Sequence, residues 1–187
     1  MQARALIEFL GIIGNLKRNT RHVWAVNGRQ ESVAEHCWQL AVMALLVADE
    51  FPDVDIEKVV KMCLVHDFGE AITGDIPSFY KTKQDEKAED LAIADLLKQL
   101  PDSISKEFSV LFSEMAELRT PEAKLFKALD KIEAIISHNE SPLDTWLELE
   151  HTENLIYGEE DVKYSEYLTV LREELKQDSI NKISKGI

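Results

Sequence analysis

The sequence predicts an all-α fold, a single helical bundle, and three observations carry that reading. Apolar residues recur at helical spacing along almost the whole chain. Glycine (seven) and proline (five) are few and fall mostly where helices would end. Cap chemistry also precedes several apolar runs: "SVAE" at Ser32–Glu35 reads as a capping box, and "TPEA" at Thr120 and "SPLD" at Ser141 put proline at the first helical position. No strand pairing, internal repeat or low-complexity linker stands out.

Taken in order, the first helix is expected over 3–16, where Arg4 and Glu8 interrupt an apolar run and make it amphipathic rather than a signal peptide. The second, 32–50, follows the capping box and places His36, Leu40, Met43 and Val47 on one face. The third, 55–68, aligns Val59, Cys63 and His66. Helices at 84–99 and 103–117 follow, the latter with an apolar stripe of Phe108, Leu111, Phe112 and Met115 that suits either the core or a subunit interface. The helix at 121–139 carries "KLFKALDKIEAII", in which Phe126, Asp130 and Ala134 fall four residues apart. Two more, 143–156 and 160–177, complete a single domain over 1–178. The tail, residues 179–187, has no period and is expected to fray.

Two stretches resist a helical reading: 17–31, which concentrates Lys17, Arg18, Arg21 and Arg29 beside Trp24, and 69–83, "GEAITGDIPSFYKTK". Loops of this length in a compact domain tend to be functional or mobile.

Composition narrows the function. A net charge of −14 argues against a nucleic-acid-binding face, which needs clustered Lys and Arg, but leaves room for a small anionic substrate. The two cysteines, Cys37 and Cys63, sit in apolar helical contexts and read as core residues, not a disulfide framework. No run approaches ~18 uncharged apolar residues, so no membrane span is expected, and the cytoplasm is the expected location.

Chemistry concentrates in "CLVHDFGEAITGD", Cys63–Asp75, where an apolar helix runs into His66, Asp67, Glu70 and Asp75. His36, His66 and Asp130 each lie on or beside an apolar helix face, with Asp67 adjoining. Polar groups beside a buried surface are costly unless paired. Either these are satisfied core histidines and a solvated helix end, or a cation sits among them. Two imidazoles and two carboxylates suit one divalent transition ion: Mn, Co, Fe, Ni or Zn.

Three ordered motifs, "ESVAEH" at Glu31–His36, "HDFGEAITGDIP" at His66–Pro77 and "ALDKIEA" at Ala128–Ala134, resemble the HD-domain metal-dependent phosphohydrolases. The resemblance covers about residues 5–175 and is strongest to the small 5′-deoxynucleotidase group, through "LKRNTRHVW" and the Glu70–Pro77 element. It implies that His36, His66, Asp67 and Asp130 are the metal ligands. Relatives with two metals carry extra histidines between the HD pair and the last Asp. None lies between Asp67 and Asp130, which implies one ion per site.

The same resemblance implies hydrolysis of nucleoside 5′-monophosphates, deoxyribonucleotides preferred, by a homodimer. Glu70 is the candidate for positioning or deprotonating the attacking water, with Asp75 as competitor. Arg21 or Arg18 would clamp the phosphate. Trp24 would meet sugar or base, and Asp75 would contact the sugar hydroxyl. Arg21 and Trp24 are separated by two residues, whereas Arg and Trp adjoin in some members. Glu35 serves either as a partner that orients a ligand or as a helix cap. His22, His138 and His151 fall outside the pattern and read as structural or surface residues. A (p)ppGpp pyrophosphohydrolase is disfavoured because Ala71 stands where that chemistry shows Asp after Glu70. A non-catalytic metal-stabilised module would not require Glu70, Arg21 and Asp75.

Overall fold

A computed structural model of the chain describes residues 1–25 and 27–186. Val26, inside the basic loop, and Ile187, the last residue of the tail, lie outside the described residues. The helices are α1 (Ala3–Ile13), α2 (Val33–Leu46), α3 (Ile56–Val65), α4 (Glu70–Thr73), α5 (Lys83–Leu97), α6 (Asp102–Glu117), α7 (Pro121–Glu140), α8 (Glu150–Ile156), α9 (Glu159–Val162) and α10 (Glu166–Lys185). The all-α expectation holds, with one addition.

That addition is a hairpin of β1 (Thr20–Trp24) and β2 (Gln30–Ser32), antiparallel, with Thr20 opposite Ser32 and Trp24 opposite Gln30. Strands this short show too little alternation to be read from sequence. Ser141 anchors the hairpin from across the molecule: its hydroxyl accepts from the Trp24 N–H at 3.0 Å and donates to the Trp24 carbonyl at 3.1 Å.

α7 is the spine. Leu125, Leu129, Ile132 and Ile135 on it are fully buried, and the first three pack with Leu40 of α2, Val59, Met62 and Cys63 of α3 and Leu168 of α10. A second apolar cluster joins Phe9, Leu16, Val33, Cys37, Phe68 and Leu96. Phe108 and Met115 of α6 pack against both clusters, so the stripe that also suited an interface is used within the chain. Removing a buried Leu from such a core typically costs about 2–5 kcal/mol.

The first helix gives way to a 3₁₀ turn at Gly14–Lys17, the third ends at Val65, and the stretch 69–83 read as non-helical contains α4. Four further boundaries differ from expectation for identifiable reasons. α2 ends at Leu46 and passes into a 3₁₀ turn at Ala48–Glu50. The segment 143–156 is a 3₁₀ turn, Leu143–Thr145, and then α8, because Trp146 is extended and its indole N–H donates to the His138 carbonyl at 3.0 Å. The segment 160–177 is split by Ser165, which caps a new helix by accepting from the Leu168 N–H. The tail expected to fray is helical to Lys185: Ser179 is buried and donates to Asn139 Oδ1 at 2.7 Å, a polar contact that apolar periodicity does not reveal. No helix among the described residues is long and apolar enough to cross a membrane.

Candidate metal centre and active-site cavity

α2, α3 and α7 deliver the predicted ligands to one point. His36 Nε2 and His66 Nε2 lie 3.2 Å apart. Asp67 Oδ1 is 3.1 Å from His66 Nε2, and Asp130 Oδ1 is 3.2 Å from His36 Nε2 and 3.7 Å from His66 Nε2. The outer ring nitrogens are engaged elsewhere: His36 Nδ1 meets Glu133 Oε2 at 2.5 Å and His66 Nδ1 meets the Cys63 carbonyl at 3.0 Å. Acceptors on both Nδ1 atoms fix the Nδ1–H tautomers, which turns both Nε2 lone pairs inward. Two lone pairs and two carboxylates facing one another repel unless a proton or a cation stands between them. The donor set therefore fits a divalent ion of borderline softness.

Without an ion, a proton takes that role. Burial and Arg21 oppose a charge on His36, yet Glu133 and Asp130 raise it to about 10. Burial likewise opposes the charge on Asp67 and Asp130. His66 nevertheless holds Asp67 at about 2, and Lys127, 2.9 Å from Asp130, holds that carboxyl well below its ordinary range.

The chain between α3 and α4 explains where Glu70 goes. The amides of Phe68, Glu70, Ala71 and Ile72 bond to carbonyls three residues back, at 2.9–3.2 Å. With three residues per turn, Asp67 and Glu70 share an edge. Glu70 thus sits beside Asp67 and Glu89, with one carboxylate oxygen of each within 4.8 Å of the others. Glu70 Oε2 is buried with no partner among the described residues, and burial, then Asp67, Asp75 and Glu89, push its carboxyl up to about 10. Gly69 is required here, because a Cβ on it would meet Glu89 Cγ at 2.5 Å.

These groups line a cavity of about 950 Å³. Arg21 enters it from β1, its Nη1 held by Glu133 at 3.1 Å and Glu31 at 3.3 Å. Burial works against its charge, but Glu133 and Glu31 raise its pKa further, so it stays cationic. Nε and Nη2 take no partner among the described residues and are left for a ligand. Asp75 also lines the cavity, its carboxyl raised chiefly by burial.

Two sequence candidates are not brought in. Arg18 is exposed and does not line the cavity. Trp24 does not line it either: its ring packs edge-on against His22 at 4.8 Å, and Val23 forms the wall instead. Arg21, His22 and Val23 of β1 all line the cavity, and Trp24, the last residue of the strand, lies outside it. Glu35 is a cap, closing the box with Ser32 and pairing with Arg29.

Sequence reasoning missed Glu133, fully buried among His36, Arg21 and Ser137. The available signal was a lone acid inside the apolar run "KIEAII". It also missed Lys81, which pairs with Glu89, and His22 and His138, which line the cavity.

Residues 13–171 match the HD domain family, and the chain belongs to it. The chain is 38% identical over 142 residues to 5′-deoxynucleotidase HDDC2 of Bos taurus, covering 74% of this chain and 68% of that one. Against HDDC2 of Homo sapiens the figures are 36%, 74% and 69%. Its fold is similar to that of a "predicted metal-dependent phosphohydrolase" from Magnetospirillum magnetotacticum MS-1, with TM-score 0.82, 27% identity, and coverage of 96% of this chain and 93% of that one. It is also similar to the PH0347 protein of Pyrococcus horikoshii OT3, with TM-score 0.71, 30% identity, and coverage of 92% and 99%.

Proposed function

We propose that this HD-domain phosphohydrolase cleaves nucleoside 5′-monophosphates, deoxyribonucleotides preferred, to nucleoside and phosphate, using one divalent transition ion per site. The observation that carries the reading is the inward convergence of His36, His66, Asp67 and Asp130, with the free donors of Arg21 opening into the same cavity. The relatives called 5′-deoxynucleotidases support the substrate class.

When bound by these four residues, the ion supplies a Lewis acid for a phosphoryl oxygen and lowers the pKa of a water. The chain's own residues do the positioning. Arg21 presents Nε and Nη2 to the phosphate as a fork whose direction Glu133 and Glu31 fix. Glu70 Oε2, unpartnered and beside Asp67, is the atom that takes or holds a proton from the attacking water. Asp75 accepts a hydrogen bond from the sugar hydroxyl, which disfavours a 3′-phosphate by placing like charges together.

The test is phosphate release from chelator-stripped protein reloaded separately with Mn²⁺, Co²⁺, Fe²⁺, Ni²⁺ and Zn²⁺, using dAMP, AMP and 3′-dAMP. Turnover of dAMP above AMP, with 3′-dAMP poor, is expected. Failure of every ion to support release from any 5′-mononucleotide overturns the reading.

A further inference from the structure

The cavity extends well past the metal cluster, and α7 measures by how much. Asp130, Ala134 and His138 line it in succession, and eight residues of helix separate Asp130 from His138 by about 12 Å. Over that length an extended 5′-nucleotide has its phosphate at one end and its base edge at the other. Ala134, halfway, has a side chain small enough to leave the passage open.

At the far end stands a polar group that hydrolysis does not use. Glu150 is 2% exposed. Its Oε1 meets His138 Nε2 at 3.1 Å and its Oε2 accepts from the Leu147 N–H at 2.7 Å. A carboxylate offers about four lone-pair positions, so two remain. His22 Nε2 approaches the same carboxylate but stops at 3.7 Å, beyond hydrogen-bond reach. Asn154, 6% exposed, lies one turn after Glu150 on the same face of α8. Its backbone carbonyl already accepts from Arg172 at 2.8 Å. His22 Nε2 and Asn154 Nδ2 are both buried without a partner among the described residues. Buried donors left unpaired are rare, and a missing ligand is one explanation.

We infer that His22, Glu150 and Asn154 read the nucleobase and favour the imide edge of thymine or uracil. In its Nε2–H tautomer His22 makes the row donor, acceptor, donor. The imide edge presents carbonyl, N–H, carbonyl, the complement at all three points. Guanine matches two. Adenine and cytosine turn an amine toward a site that already has donors to spare. This inference rests on the nucleotide reading above and adds base selectivity to it.

The experiment compares kcat/KM of the metal-loaded protein on dTMP, dUMP, dGMP, dCMP, dAMP and deoxyribose 5-phosphate. The expected order is dTMP and dUMP, then dGMP, with dAMP and dCMP at least about tenfold below dTMP, because unpaired polar groups penalise the wrong partner. Asn154→Leu and His22→Phe should each shrink the dTMP-to-dAMP ratio towards one, a readout that partial misfolding does not move. Equal kcat/KM across the bases, a purine at the head of the series, or an unchanged ratio in both variants overturns the base-reading assignment and leaves phosphohydrolysis standing. Deoxyribose 5-phosphate as the best substrate also overturns it. Turnover of none of the five nucleotides overturns both readings.

Discussion

Glu133→Gln isolates a residue whose function is to hold two others. Glu133 has no solvent exposure, accepts from His36 Nδ1 at 2.5 Å and Arg21 Nη1 at 3.1 Å, and takes the Ser137 hydroxyl on its other oxygen at 2.8 Å. The amide keeps the shape but removes the charge, and only one of its two ends can accept. His36 and Arg21 share Oε2, so the amide carbonyl can take that place with its NH₂ turned to the Ser137 hydroxyl, and what both cations lose is the negative charge between them. Breaking one partner out of a buried charge cluster costs about 3–5 kcal/mol. Because Glu31 still holds Arg21 at 3.3 Å, the lower end, about 3 kcal/mol, is the expected loss in urea unfolding of the metal-free protein.

Metal affinity should fall by about 10–100-fold, the usual effect of releasing a ligating histidine from its outer partner. KM should rise in the same variant because Arg21 loses its orientation. Ser137→Ala is the control: it removes one hydrogen bond to the Glu133 carboxylate, about 1.5–3 kcal/mol, but keeps the charge, and should leave metal affinity alone. Chelator competition, urea melts and steady-state kinetics measure the three quantities. Metal affinity within twofold of the parent, with KM unchanged, would refute the claim that Glu133 sets both groups.

Arg21→Ala should raise KM about 10–100-fold, since a charge-assisted contact is worth roughly 1.5–3 kcal/mol, while Arg18→Ala, at an exposed residue outside the cavity lining, leaves KM unchanged; equal effects would return Arg18 to the site. Gly69→Ala should destabilise by about 1–3 kcal/mol in thermal melts, because its Cβ would meet Glu89 Cγ at 2.5 Å and Ile93 Cγ1 at 3.1 Å; an unchanged midpoint would mean α5 yields freely. The metal-free protein should lose thermal stability as pH rises from 6.5 towards 10. His36 is raised to about 10, so its proton stabilises the fold fully below 6.5 and is lost as pH climbs, and a buried Glu70 raised to about 10 contributes in the same direction. Metal affinity should rise over the same interval because binding displaces the His36 proton; a flat pH profile in both measurements contradicts this.

The helices were legible because each carries an apolar stripe that meets another, as on α3, where Val59 and Cys63 pack beneath α7. What escaped notice was held by polar contacts. Ser141 ties down a hairpin too short to show alternation, and Ser179 extends α10 through a stretch with no apolar period. The four residues that converge were legible as residue types, because His36, His66 and Asp130 are polar groups on faces otherwise apolar. The placement of Glu70 was not, since it depends on a 3₁₀ turn that swings it from His66 towards Asp67. Trp24 and Arg21 look equivalent in a basic loop, and only the folded hairpin brings Arg21 to the cavity and leaves Trp24 outside it.

The charges around the cluster also set the order in which it can be filled. Each local cation already has a partner: Arg21 with Glu133, Lys81 with Glu89, and Lys127 with Asp130. Asp67 has only the histidines beside it, and Glu70, Asp75 and Glu31 have no Lys or Arg of their own, apart from the shared contact of Glu31 with Arg21. Glu70 responds to that crowding by holding its proton up to about pH 10. A phosphate dianion entering such a cavity meets net repulsion, strengthened where water is scarce. Neutralising the His36–Asp67–Asp130 side with a divalent cation reverses the sign locally and frees Glu70 to ionise. On the proposed reading, the carboxylate-rich wall therefore makes metal binding a precondition for substrate binding, not an accessory to it, which is how a protein of charge −14 would act on an anionic substrate.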